Sequence, residues 1–214
     1  MRSIGFLTFH TLDYNCAYYA EMTCANKANY CERHGYTFYN YNTFEEKFSV
    51  EWSKVIYCLK LLQKHDWLFW SDADAMITNL TIKLEDFLDD SVNAITSKDI
   101  NGMNTGHFFL KNSEWSMLFL KELYNLRVRF ENKDPEIKAN QHGQFTDQDA
   151  MIYLWDKNWN NTRSNFKFID KKLINSYYFN GDTNDWTPGD FVLHLPATLD
   201  RANKFNSIRK HIVY

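Results

Sequence analysis

Glycine and proline are scarce in this chain, at 7 and 3 of 214 residues. So few glycines leave no G-x-G-x-x-G dinucleotide turn and no P-loop, and any phosphate has to be held by other means. Cysteine is scarce too. The 4 present, Cys16, Cys24, Cys31 and Cys58, lack paired C-x-x-C spacing and read as reduced core thiols. Charge of one sign is missing: 24 Lys and Arg against 27 Asp and Glu, interspersed, give a net charge of -3. There is no basic footprint for nucleic acid and no charge run for a membrane surface, so an anionic substrate needs a cation or local Lys and Arg. Long apolar runs are also missing. Residues 1–9 are too short for a signal peptide or anchor, so the expectation is a chain without a membrane anchor, cytoplasmic unless an anchor is missing from it.

Aromatic side chains are plentiful, with 7 Trp, 13 Tyr and 17 Phe. They suffice for a core and for a cleft that stacks planar or sugar rings. The length suits a single domain over residues 1–214. Within it, Trp67-Leu68-Phe69-Trp70 runs through Ser71 into Asp72-Ala73-Asp74-Ala75. The apolar run has the character of a central strand. In open α/β sheets, ligands gather beyond the carboxyl ends of strands. Carboxylates at i and i+2 can share a hard divalent cation, with waters or phosphate oxygens completing its shell. Ala73 and Ala75 leave room for a ligand. A strand-end turn or helix cap is the plainer reading of a bare D-x-D.

In chain order, residues 4–9 read as a first strand with Thr8, Phe9 and His10 at its carboxyl end. Residues 11–35 read as a helix capped by Asp13 and stopped by Gly35, and residues 36–41 as a strand. This β-α-β start favours a parallel sheet with right-handed crossover. Residues 49–65 are helical by pattern, and composition makes Lys54 near their start a solvated surface lysine, with a place at the cleft as the alternative. A short helix is expected over residues 81–90 and a strand over 92–96. A glycine-bracketed turn, Gly102 to Gly106, then feeds a strand; Asn104, Thr105 and Gly106 there can approach a ligand, or simply form a hairpin. Residues 112–130 read as a helix, and 131–141 as a loop that suits a lid or acceptor-side wall. Thr146 caps a helix that opens with Asp147 and Gln148. His194 sits in a short apolar strand over residues 191–196, ordinarily the place of a hydrogen-bonded core histidine.

Several motifs fall in order: Trp52-Ser53-Lys54, Trp70-Ser71-Asp72-Ala73-Asp74, Asn104-Thr105-Gly106, Trp115-Ser116, Asp147-Gln148 and His194. Together they resemble the GT-A glycosyltransferases of the galactosyltransferase type, which includes fungal α-mannan and plant xyloglucan xylosyl enzymes, over residues 4 to about 196. The length is also similar to that of a chlorella-virus domain that builds capsid glycans. The resemblance implies an α/β, Rossmann-like GT-A fold, mostly parallel with flanking helices. It implies a retaining transfer from a UDP-sugar to a glycan or glycoprotein acceptor, assisted by Mn2+ or Mg2+.

The resemblance also places roles. Asp74 and His194 become metal ligands, and Asp72 serves the metal or the ribose beside Ala73. Thr8, Phe9 and His10 receive uridine, and Lys54 lies beside the donor. Asn104, Thr105 and Gly106 wall the donor sugar. Asp147 and Gln148 lie beneath its anomeric carbon, and Lys204 reaches the diphosphate. Two rivals remain open: a haloacid-dehalogenase-like phosphatase with Asp72 as nucleophile, and a nucleotide-sugar or glycan-binding module without turnover.

Overall fold

The structure, a computed structural model, describes residues 2–43, 50–178 and 185–214. Its first strand, β1 (Ile4–Phe9), leads into helix α1 (Tyr14–His34) and strand β2 (Thr37–Tyr41). Both ends of α1 are written locally. Asp13 Oδ1 accepts from Cys16 N, and Gly35 closes the helix at φ 74°, the left-handed conformation that glycine adopts without cost. Helix α2 (Val50–Leu61) and strand β3 (Trp67–Ser71) follow, then the short strand β4 (Ala75–Ile77). The expected first residue of α2, Ser49, lies outside the described residues.

The expected helix over residues 81–90 is not formed; only Leu84–Phe87 makes a 3-10 turn. Asn79 Oδ1 accepts from Thr81 N, and Asp89 Oδ1 accepts from Ser91 N, local side-chain turns that bracket the segment and compete with helix at both of its ends. The next strand, β5, is Ala94–Asp99, displaced from the expected 92–96, and it turns directly into β6 (Gly102–Lys111). Helices α3 (Glu114–Glu131), α4 (Asp147–Asp156) and the short α5 (Thr162–Asn165) precede strand β7 (Phe166–Ile169). The chain then runs through α6 (Lys171–Ile174), β8 (Ser176–Tyr177), β9 (Val192–His194) and α7 (Arg201–Ile208).

The main sheet has the order β2-β1-β3-β6-β5-β7. Pairs β1/β2, β1/β3 and β5/β7 are parallel, and β6 is antiparallel to both neighbours. This is the mostly parallel sheet that the opening β-α-β predicts. Period-two alternation sends Leu68 and Trp70 of β3 toward α2, α3 and α4, while Trp67 and Phe69 face the side of α1. A strand buried on both faces reads as a continuous apolar run, which is why Trp67 to Trp70 is legible. Strands β4, β9 and β8 form a second, small sheet, packed with α1 and α7 around Met76, Leu193 and Phe205. Among the described residues, no helix is long and apolar enough to cross a membrane.

Candidate active site

The carboxyl end of β3 delivers Asp72. Because β6 runs antiparallel to β3, its beginning lies beside that end, with Ser71 opposite His107. Asp72 N donates to Gly106 O at 2.9 Å. The chain then turns at Ala73 into β4, whose Ala75 pairs with His194 of β9, and Leu195 N donates to Asp74 O at 2.9 Å. Two sheets thus bring Asp72, Asp74 and His194 together, each offering a ligand atom within 4.8 Å of the others. No spacing rule in the sequence states this register.

The orientation of His194 suits a cation. Its Nδ1 lies 2.6 Å from Asn175 Oδ1, and its Nε2 lies 3.1 Å from Asp74 Oδ1 and 4.0 Å from Asp72 Oδ2. With Nδ1 committed to a carbonyl oxygen, an unprotonated Nε2 against a carboxylate is repulsive unless a positive centre lies between them. Two carboxylates and an imidazole fit a divalent metal. Burial by itself would raise the Asp74 carboxyl, but positive charge at the His194 position, with Arg201 and Lys27, outweighs it and holds the group down to about 2. Burial pushes the neighbouring His107 well below its usual value. Gly106 packs so closely on His194 that any Cβ there would overlap the ring.

Lys54 is buried, against the expectation from composition. Its Nζ lies 3.0 Å from Asp147 Oδ2 and 3.3 Å from Asp72 Oδ1, and donates to Thr105 O at 3.0 Å. Burial opposes its charge, yet Asp147 and Asp72 raise its pKa overall. Asp72 Oδ1 also accepts from Trp70 Nε1 at 2.6 Å. Thr146 caps α4 as expected, with its side chain accepting from Asp149 N at 3.3 Å. The first residue of α4, Asp147, is buried and lines neither cavity of the site, whereas Gln148 lines one and accepts from Thr105 N at 3.2 Å.

Two cavities meet at Asp72. One, of about 430 Å³, is lined by Phe9, His10, Lys54, Ala73, Asp74 and Arg201 among others. The other, of about 560 Å³, is lined by Asp99, Asn104, Thr105, Gly106, Gln148, Tyr177 and His194 among others. Thr8, expected at the uridine, is wholly buried and lines neither cavity; its Oγ1 accepts from Lys27 Nζ at 3.3 Å. Lys204 lines neither cavity; Arg201, one turn earlier on α7, does, with a guanidinium nitrogen 3.1 Å from Asp74 Oδ2. None of residues 131–141 lines either cavity. Ile137 from that loop is buried in the core, and Arg129 ties Asp134 and Glu136.

Three residues of the site escape sequence reasoning: Lys27, Arg201 and Asn175. Lys27 is wholly buried, and its Nζ donates to Asp72 O at 2.5 Å. A lone lysine in a polar stretch of α1 signals nothing until the helix face is known. Asn175 and Arg201 likewise follow no motif.

The sequence pattern of the galactosyl transferase GMA12/MNN10 family matches residues 8–92 and 88–201. The chain is 29% identical over 157 residues to xyloglucan 6-xylosyltransferase 1 of Arabidopsis thaliana, covering 64% of this chain and 34% of that protein. It is 24% identical to the uncharacterized alpha-1,2-galactosyltransferase C637.06 of Schizosaccharomyces pombe, covering 73% and 54%. The chain thus spans about a third to a half of these relatives. A solved glycosyltransferase involved in glycosylation of the major capsid of PBCV-1 superposes with a TM-score of 0.70 over 97% of this chain and 99% of that one, at 17% identity. The galactosyltransferase LgtC superposes with a TM-score of 0.54 over 98% and 96%, at 13% identity. The fold is that of GT-A glycosyltransferases.

Proposed function

Because the chain belongs to the galactosyl transferase GMA12/MNN10 family, we propose that it transfers a sugar from a UDP-sugar to a glycan or glycoprotein acceptor, with a divalent cation held by Asp72, Asp74 and His194. The observation that carries this reading is the position of the three ligands at the junction of two cavities, with Asp72 lining both. The nucleoside belongs in the cavity of Phe9, His10 and Ala73. The transferred sugar and the acceptor belong in the cavity of Asn104, Thr105, Gly106 and Gln148. The diphosphate then lies between them, over the carboxylates.

When bound, the cation neutralises charge developing on the leaving diphosphate. Arg201, rather than Lys204, is placed to add a second positive charge there. Lys54 holds Asp72 and the Thr105 carbonyl in fixed relation, so that the donor meets a preorganised wall. Asp147 acts from behind, as the buried partner of Lys54, instead of touching sugar hydroxyls. Gln148 steadies the oxocarbenium-like sugar, and the acceptor attacks the face from which the diphosphate departs, with retention of configuration.

Screening a panel of UDP-sugars with Mn2+ tests the proposal: turnover of at least one is expected. UDP binding without turnover of any donor would leave a binding module. Gln148→Ala should keep UDP affinity and lower turnover by at least about tenfold, or roughly 1.4 kcal/mol of barrier; unchanged turnover removes Gln148 from the mechanism. The phosphatase alternative has no support from family membership.

A further inference from the structure

The proton on His194 can be placed by starting from two groups whose hydrogen-bonding character is unambiguous. The backbone N–H of Gly106 donates to Asn104 Oδ1 at 2.8 Å, and the Asp99 carboxylate accepts from Asn104 Nδ2 at 2.8 Å. These two contacts set which way the Asn104 amide faces. Its Oδ1 only accepts, so the Asn175 atom 2.8 Å away is the amide nitrogen. Asn175 Oδ1 therefore faces the opposite side. There it lies 2.6 Å from His194 Nδ1 and 3.0 Å from His107 Nδ1. A carbonyl oxygen has two lone pairs and no proton, so both ring nitrogens are N–H donors. His107 completes its own pairing by accepting from the Ser71 hydroxyl at Nε2, 3.1 Å away.

We propose that Asn175 is the positioning residue that makes His194 a cation ligand. By accepting from Nδ1 it leaves Nε2 as the nitrogen that can offer a lone pair to a cation beside Asp74 and Asp72. Without that acceptor nothing holds the proton on Nδ1, and a proton on Nε2 closes the site to a cation. Asn175 is wholly buried and directly precedes β8, which pairs with β9 so that Tyr177 lies opposite His194. The backbone therefore holds the amide at a set distance from the ring. The amide also anchors the line from Asp99, at the wall of the sugar cavity, to the cation ligands. This inference rests on the cation-dependent reading proposed above.

Two measurements test it. In the 15N-histidine-labelled full chain with Mg2+ and UDP, His194, assigned by its loss in His194→Gln, should carry its proton on Nδ1; a proton on Nε2 overturns the inference. Mn2+ uptake in the presence of UDP, followed by the electron paramagnetic resonance of the free ion, should weaken by about 10- to 100-fold in Asn175→Leu. Asn175→Asp keeps an acceptor oxygen beside both rings and, with its other oxygen protonated toward Asn104 Oδ1, should take up Mn2+ measurably better than Asn175→Leu. Unchanged uptake by a folded Asn175→Leu, or Asn175→Asp as weak as Asn175→Leu, overturns the inference alone. If Asn175→Leu does not fold, the proton position in the parent chain decides. Absence of UDP-dependent Mn2+ uptake by the parent chain overturns the cation-dependent reading and this inference with it.

Discussion

Asp74→Asn will abolish the Mn2+ dependence of UDP binding and lower sugar transfer by about three orders of magnitude, the equivalent of roughly 4 kcal/mol of transition-state stabilisation. The side chain keeps its volume, so the loss is electrostatic. Asp74 is the carboxylate nearest His194 Nε2, at 3.1 Å, and the one that Arg201 touches. An amide there removes one full ligand charge and offers an N–H where a cation needs a lone pair. Calorimetric titration of UDP, with Mn2+ and with chelator, checks the binding. Equal, metal-dependent affinity in the variant would remove Asp74 from the cation site. Thermal melting should also fall at neutral pH, because the folded chain stabilises the ionised Asp74 carboxylate through Arg201 and its other cationic neighbours.

Lys54→Met will cost about 3 to 5 kcal/mol of stability, because it strands the buried Asp147 carboxylate without its counter-charge. For a chain of this length that corresponds to a fall of about 6 to 20 °C in Tm. The loss also has a pH signature. Burial already places the Asp147 carboxyl above its usual range, with Lys54 pulling it down and Asp72 pushing it up. Removing Lys54 raises it further, so the folded variant retains a proton that the unfolded chain releases near pH 4. A carboxyl raised on folding costs stability as pH climbs past its unfolded value. The deficit should therefore be small below about pH 4 and widen above it. Lys54→Met combined with Asp147→Asn should regain most of the loss, since no buried charge is left unpaired. A single variant as stable as the parent at pH 7 would mean that the Lys54–Asp147 pair does not hold the site together.

The Lys54 case shows why part of the site escapes a sequence reading. Composition places a lysine in solvent because isolated burial is expensive. The compensation comes from Asp72, Asp147 and the Thr105 carbonyl, which belong to separate elements. Lys27 is hidden for the same reason: its partners, Thr8 Oγ1 and the Asp72 carbonyl, include a backbone atom that no motif records. His194 reads as a core histidine by its apolar strand, and only the pairing of β4 with β9 sets it beside Asp74. Arg201 and Lys204 differ by less than one helical turn, and which of them faces the cavity depends on how α7 packs.

By itself the sequence determined the elements whose cause is local. The cap and glycine stop of α1, the capped start of α4, the doubly buried β3 and the paired carboxylates at its end all follow from neighbouring residues and side-chain period. The α/β class follows from their order. The tertiary structure alone decided the union of Asp72 and Asp74 with His194, the burial of Lys54 and Lys27, the place of Arg201 rather than Lys204 at the cavity wall, and the contact of Asn175 with the His194 ring. Each of these depends on the register of strands or the rotation of helices far apart in the chain. Such geometry is set by the packing of the whole core, where no single residue carries a signal of the partner it will meet.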